Sequence, residues 1–182
     1  LYAEDPYRNF LPSIGRLTRY RPPSEGTTAE GTVVRNDTGV FEGGEISMYY
    51  DPMIAKLCSW GQTRDEAIAE MREALDQYYI RGVSHNIPFL ASLMANQRFV
   101  DGRLTTNFIA EEFKGGFTAA HLPPKDPAVL AAVAAVVDRI HAHRSGAPQS
   151  ERVVMLNRTA MPVSVSGGGL EFAVDIDARR IE

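Results

Sequence analysis

Along the first third of the chain, apolar and polar residues alternate in short bursts separated by turn chemistry; from Thr63 onward the period lengthens to that of a helix. Arg16-Leu17-Thr18-Arg19-Tyr20 alternates as a half-buried strand requires, because successive side chains of an extended chain face opposite ways. Pro22-Pro23-Ser24-Glu25-Gly26 ends it. Gly31-Thr32-Val33-Val34-Arg35 is β-branched and predicts a second strand, stopped by the turn residues Asn36-Asp37-Thr38-Gly39. Glu42-Gly43-Gly44-Glu45 predicts another tight turn, and the mostly apolar run 53–60 predicts a strand inside a sheet covered on both faces. Residues 1–12 read as the end of a strand running into a turn, with Asp5-Pro6 as turn initiator and Phe10 and Leu11 as apolar anchors.

The helical pattern is strongest over 63–80. Thr63 and Glu66 make a capping box, Asp65 and Glu66 suit the positive end of the helix dipole, and Ile68, Met71, Leu75 and Tyr78 or Tyr79 form one apolar stripe. Gly82 is placed to end this helix in the left-handed conformation. A shorter helix is expected over 87–94, with Asn86 near its cap and Pro88 in its first turn; a third starts near Thr106 and runs through Phe108, Ile109 and Phe113 until Gly115-Gly116. Beyond Phe117 the character changes. His121-Leu122-Pro123-Pro124-Lys125 reads as a linker, Asp126-Pro127 as an N-cap and first helical residue. The helix over 128–143 is apolar nearly all round as far as Val137, which asks for burial on more than one side; Arg139, His141, His143 and Arg144 suit its negative end. Short strands come next at 152–156, 160–165 and 170–176, the last two joined by Ser166-Gly167-Gly168-Gly169. The pattern therefore predicts an α+β module, a small antiparallel sheet flanked by helices, over residues 1–117. Residues 118–182 then supply a linker, a long helix and the first strands of a second antiparallel β domain, too few to stand alone.

Composition narrows the class. The 182 residues are 44% hydrophobic and 23% charged, ordinary for a globular protein, and the formal net charge of −4 gives no reason to expect a nucleic-acid surface. No apolar run approaches the roughly 20 residues of a membrane span, and Leu1-Tyr2-Ala3-Glu4-Asp5 lacks the basic start of a signal peptide. A chain beginning with Leu reads as a piece of something longer. Cys58 is the single cysteine, so neither an internal disulfide nor a cysteine-based zinc site is expected.

Candidate chemistry is sparse. Glu4-Asp5 either orients a base or cation, or forms a solvated turn in which Asp5 caps the next segment. Tyr50-Asp51-Pro52 offers a carboxylate that either holds a partner arginine through two parallel hydrogen bonds or marks an ordinary loop-to-strand junction. Lys56 is an edge residue with its head in solvent, or the partner of an acid. Arg35 is interfacial or a surface charge at a strand end. Gly39, Gly43 and Gly44 form no phosphate loop. Of His85, His121, His141 and His143, the last two fall on different sides of a helix, so no metal pair is expected.

Read as a whole, the motifs are more specific. Tyr2-Ala3-Glu4-Asp5-Pro6, Asn9-Phe10-Leu11-Pro12-Ser13-x-Gly15, Tyr50-Asp51-Pro52-Met53-Ile54-Ala55-Lys56-Leu57, Gly61-x-x-Arg64, the helix with Ala67, Met71 and Ala74-Leu75, then Gly82, Asn86, Phe99, Gly102 and Thr105-Thr106-x-Phe108-Ile109 occur in this order. Over residues 1–117 this resembles the C-terminal domain of biotin carboxylase, as found in biotin-dependent carboxylases. The continuation is similar to the tether domain of acyl-CoA carboxylase α subunits, of the propionyl-CoA type above all. The alternatives are the same domain from a pyruvate, urea or methylcrotonyl-CoA carboxylase, or a non-catalytic interaction module built on the 128–143 helix.

The resemblance implies a ligase that uses ATP and Mg²⁺ or Mn²⁺ to activate bicarbonate as carboxyphosphate and carboxylates N1′ of biotin on a carrier domain. A carboxyltransferase β subunit then passes the carboxyl group to an acyl-CoA. It implies a nucleotide-binding half upstream of this chain, and as partners the rest of the α subunit, the biotin carrier domain and the β subunit, with no nucleic acid or membrane. The family motif Glu-x-Arg-x-x-Ala-Glu-Asp-Pro carries an arginine that stabilises the biotin enolate, fixed positive charge aimed at developing negative charge; here it would stand immediately before Leu1. The resemblance therefore assigns no catalytic residue or metal ligand to this chain, which is expected to be inactive alone. It assigns Glu4, Asp5, Tyr50 and Asp51 to the floor around that arginine, Arg35 to a domain or subunit contact, and Thr105 and Thr106 to the approach to the nucleotide. The implied compartment is the bacterial cytoplasm or, for a eukaryotic source, the mitochondrial matrix.

Overall fold

The computed structural model describes residues 1–123, 126–144, 146, 150–156, 158–169 and 171–181. They fall into two compact units, Leu1–Pro123 and Pro124–Glu182. Pro124 and Lys125 of the expected linker, and Leu170 at the start of the expected last strand, lie outside the described residues.

In chain order the first unit contains β1 (Glu4–Asp5), β2 (Leu11–Pro12), β3 (Gly15–Arg16), β4 (Arg19–Arg21), β5 (Gly26–Thr27), β6 (Val33–Thr38), β7 (Glu45–Ile46), β8 (Ala55–Trp60), α1 (Arg64–Gln77), β9 (Tyr79–Arg81), α2 (Ile87–Ala95), α3 (Gln97–Val100) and α4 (Phe108–Glu112). The strands pair antiparallel as β1–β2, β3–β7, β4–β9 and the three-stranded sheet β5-β6-β8. The alternating run 16–20 is thus split between two partners. Leu17, fully buried, exchanges backbone hydrogen bonds with Gly43 and Gly44, whereas Thr18 donates to the carbonyl of Arg81. Gly82 sits at this crossing with φ +103°, where a Cβ would run into the Arg16 carbonyl. It is therefore a close-approach glycine rather than the helix stop read from sequence, since α1 ends at Gln77 and Tyr78 is already extended.

Two further expectations are corrected. The turn expected at Asn36-Asp37-Thr38 is the continuation of β6, paired Asn36↔Leu57, Asp37↔Lys56 and Thr38↔Ala55. Asn36 is buried, and its side chain is tied to Tyr78, a tertiary demand that overrides turn propensity. The apolar run 53–60 is not covered on both faces: β8 is an edge of its sheet, Lys56 is exposed and Trp60 is 54% exposed. The helix start is as read, with Thr63 Oγ1 accepting from the Glu66 N–H at 3.2 Å and Glu66 Oε2 accepting from the Thr63 N–H at 3.3 Å.

The core of this unit joins Ala3, Leu17, Ile46, Ile54, Leu75 and Ile80. A second cluster stacks Phe89, Phe113 and Phe117 with Phe10 edge-on, and His121 lies parallel over Phe117 at 5.7 Å. The first unit extends past Phe117 to Pro123.

The second unit is α5 (Pro127–Arg144) laid on a four-stranded antiparallel meander of β10 (Glu151–Leu156), β11 (Thr159–Gly168), β12 (Glu171–Ile176) and β13 (Arg179–Ile181). Ala131, Ala132 and Ala135 let the helix approach Val163, Val165, Val174 and Ile176. The Arg139 guanidinium donates to the carbonyls of Val165 at 2.7 Å and Gly167 at 3.1 Å. Among the described residues only this face is covered: Val129, Leu130, Val133 and Val137 are 40–56% exposed, against the expectation of burial on several sides. The strand β13 comes after a two-residue turn in which Asp177 and Ala178 both have positive φ, a hairpin without the usual glycine signal.

Candidate functional site

The N-terminal segment of the first unit is hydrogen-bonded on both sides. Leu1 to Ala3 run extended between Pro52–Ala55 on one side and Asn86 on the other. The Leu1 carbonyl accepts from the N–H groups of Ile54 at 2.8 Å and Ala55 at 3.3 Å, and the Leu1 nitrogen donates to the Ala55 carbonyl at 2.8 Å. Ala3 donates to Pro52, and Tyr2 pairs with Met53. On the far side the Tyr2 N–H donates to Asn86 Oδ1 at 2.9 Å, and the Asn86 N–H returns a bond to the Tyr2 carbonyl at 3.1 Å. Asn86 thus spends its side chain on this segment and makes no side-chain cap of α2. Sequence reading placed Asn86 near the cap of α2, and it is the N-cap residue there; the partner of its side chain is 84 positions away and leaves no local signal.

Beside this segment, between the ends of β6 and β7 and the start of β8, lies an open groove of about 670 Å³. Asp37, Glu45 and Asp51 contribute three carboxylates to its lining against the single ammonium of Lys56, with Thr38 and Ile54 in the wall. Asp51 is exposed at the rim, where its Oδ1 accepts from the Met53 N–H at 3.1 Å. This contact is what the loop-to-strand junction reading expects of Asp51. Tyr50, 84% exposed, stands beside it with Tyr49 at 89%. A groove rimmed by acids and exposed phenols suits a cationic group on an apolar stem.

The remaining candidates are distributed. Glu4 and Asp5 form β1, continuous with the clamped segment; Asp5 Oδ1 accepts from the Tyr7 N–H at 3.0 Å and caps a short 3₁₀ turn. Arg35 projects from β6 into solvent and pairs with Asp37 at 3.1 Å, which ties it to the groove. Thr105 and Thr106 lie elsewhere, exposed in the loop before α4, with the Thr105 carbonyl accepting from the Phe108 N–H at 3.1 Å. That loop is held by Arg98, which reaches Glu111 at 2.7 Å and Glu112 at 2.9 Å and donates to the Arg103 carbonyl. These contacts raise the Arg98 pKa, and hydrogen bonds from Asn96 and Arg98 hold the Glu112 carboxyl below its ordinary range. Burial, and after it the charge of Arg81, lower the pKa of His85, next to Asn86.

The family model described as biotin carboxylase C-terminal domain matches residues 1–111. The propionyl-CoA carboxylase alpha chain of Ruegeria pomeroyi is 48% identical over 196 residues, covering 91% of this chain and 28% of that protein. The mitochondrial propionyl-CoA carboxylase alpha chain of Homo sapiens is 37% identical and covers 100% of this chain and 26% of that protein. Among solved structures, the biotin carboxylase subunit of a pyruvate carboxylase matches at TM-score 0.57 and 35% identity over 69% of this chain and 25% of the other. The biotin carboxylase domain of Hydrogenobacter thermophilus 2-oxoglutarate carboxylase, in complex with magnesium ADP, ADP and bicarbonate, matches at TM-score 0.55 and 39% identity over 60% of this chain and 23% of the other. The chain spans about a quarter of the length of the curated relatives it matches. With its motifs, fold and sequence in agreement over the first unit, the chain belongs to the biotin carboxylase C-terminal domain family.

Proposed function

We propose that this chain is the C-terminal part of the biotin carboxylase region, and the start of the tether, of an acyl-CoA carboxylase α subunit of the propionyl-CoA type. The full subunit is a ligase that carboxylates carrier-bound biotin with ATP and bicarbonate. The observation that carries the reading is the clamp on Leu1–Ala3. Hydrogen bonds to Ile54, Ala55 and Asn86 fix the direction of the backbone at Leu1. An arginine at the preceding position of the family motif would leave the clamp beside Ala55, at the edge of the acidic groove. A guanidinium pre-organised there needs no reorganisation to meet negative charge developing on biotin. Glu4, Asp5, Tyr50 and Asp51 are proposed as the residues that shape this floor, and Arg35 as a contact to another domain or subunit.

Coverage supports the propionyl-CoA type. Its alpha chains match across the second unit as well, whereas the methylcrotonoyl-CoA carboxylase subunit alpha of Dictyostelium discoideum matches 60% of the chain at 44% identity. The tether reading also accounts for the uncovered valines of α5, which suit docking to a carboxyltransferase β subunit; a pure interaction module rests on the same strip.

The residues present do not fit the nucleotide or its metal ion. Among the described residues no group of three or more His, Cys, Asp or Glu side chains is arranged to hold a metal. The Thr105-Thr106 loop presents hydroxyls, and its adjacent Arg103 is already paired with Asp101 at 2.8 Å. At most this loop meets one edge of a nucleotide bound mainly elsewhere. An assay of the full α subunit with its β subunit tests the assignment: propionyl-CoA should be carboxylated, and turnover of pyruvate or urea instead would refute it.

A further inference from the structure

Behind the groove wall a row of side-chain oxygens crosses the core of the first unit. Thr38 Oγ1 lies 2.9 Å from the Ile54 carbonyl, the Tyr20 hydroxyl 3.0 Å from Thr38 Oγ1, and the Tyr78 hydroxyl 2.8 Å from that of Tyr20. The side-chain amide of Asn36 lies 2.8 Å from the Tyr78 hydroxyl. Asn36, Tyr20 and Tyr78 are buried.

Each hydroxyl has one proton, and the carbonyl at the end of the row can only accept. The Thr38 proton is therefore spent on Ile54. Thr38 must then accept from Tyr20, Tyr20 from Tyr78, and Tyr78 from Asn36. With the Asn36 amide oxygen facing Tyr78, the count fails: Tyr78 donates to the amide, Tyr20 to Thr38, and two phenol oxygens stand 2.8 Å apart with no proton between them. That orientation also leaves Asn36 Nδ2 buried without a partner. Turning the amide about its axis, which leaves the heavy-atom shape unchanged, supplies the missing proton and puts an amide oxygen, rather than an unpartnered NH₂, at the other buried position. We infer that Asn36 presents its NH₂ to Tyr78 and heads a one-directional hydrogen-bond chain, Asn36 to Tyr78 to Tyr20 to Thr38 to the Ile54 carbonyl, whose members are positioning residues for the groove and the clamped segment.

The link to the site is Ile54. Its carbonyl takes the last proton of the chain and its N–H donates to the Leu1 carbonyl at 2.8 Å, so one residue joins the buried row to the clamp. Burial and the Tyr20 hydroxyl keep the Tyr78 phenol protonated throughout the physiological range. The positioning role rests on the function proposed above; the direction of the chain does not.

A neutron diffraction map separates the two amide orientations directly, by showing whether an ND₂ group or a bare oxygen faces the Tyr78 hydroxyl; Asn36→Asp then tests what breaking the chain does, since burial penalises an ionised carboxylate there in either orientation. An ionised carboxylate cannot donate, so the variant breaks the chain; a protonated carboxyl restores it. The titratable groups facing position 36 are Tyr78 and Glu25, whose carboxylate accepts the Asn36 N–H at 2.9 Å. Glu25 and burial both raise the pKa of an acid placed there. In the full-length α subunit, Asn36→Asp should lower both the thermal midpoint and kcat for biotin-dependent ATP cleavage at pH 8, kcat by about fivefold or more, with both recovering toward wild type as pH falls to 6. Tyr78→Phe should lower both at every pH without recovery. A bare amide oxygen facing Tyr78 in the map overturns the chain direction, and so does an Asn36→Asp variant whose midpoint does not drop at pH 8 and recover at pH 6. If the midpoint behaves this way while kcat does not, the direction stands and the positioning role fails. A wild-type subunit without biotin-dependent ATP cleavage would refute the proposed function and leave the midpoint test intact.

Discussion

Asp51 shows how far a single residue can be read. Its place before an apolar strand was visible in sequence, and so were its two candidate roles; the structure adds that one oxygen is engaged by Met53 and that the residue lines an acidic groove. Asp51→Ala in the full-length subunit should lower turnover at least about tenfold with little change in thermal midpoint, because the residue is exposed. An unchanged rate would reduce it to a turn residue. Gly82 was legible as a positive-φ position but not for its reason, since the carbonyl that forbids a side chain belongs to Arg16, far upstream. Gly82→Ala should cost at least about 2 kcal/mol, measured by chemical denaturation. Asn36 was misread as a turn former because the partner that decides its conformation, Tyr78, is 42 positions away.

At the scale of elements, what is local was legible. The start of α1 is set by Thr63 and Glu66 alone, and Thr63→Ala should destabilise the first unit by about 1 kcal/mol in a denaturant titration. The layering of β8 was not legible, because a short apolar run does not say which face of a strand has a neighbour. α5 was legible in extent, but its alanine stripe decided which face is buried, against the more hydrophobic valines. Its start depends on Asp126, whose Oδ1 accepts from the Ala128 N–H at 3.0 Å and whose other oxygen pairs with Arg179 at 2.6 Å. Arg179 first, and the helix N–H groups after it, hold the Asp126 carboxyl below its ordinary value. The unfolded chain therefore takes up this proton first as pH falls. The stabilisation is present above the ordinary carboxylate range, near pH 4, and is lost as pH drops through the lowered value. The thermal midpoint of the second unit should fall between pH 5 and 3, and fall less in Asp126→Asn; equal slopes would show that the pair contributes nothing.

For the whole molecule, the order of several short motifs was more informative than any one of them, and family and fold class were both within reach of the sequence. The groove was not, because its acids come from β6, β7 and the loop before β8, and nothing local shows that Asp37 and Glu45 meet Asp51. The central claim is that this chain supplies the clamp and floor for a biotin carboxylase. It is tested most directly by measuring ADP formation by the full-length α subunit with bicarbonate, with and without biotin. The account predicts ATP cleavage that requires biotin and drops when the residue immediately before Leu1 is changed to alanine. A folded full-length subunit whose ATP cleavage is absent, or indifferent to biotin, would contradict it.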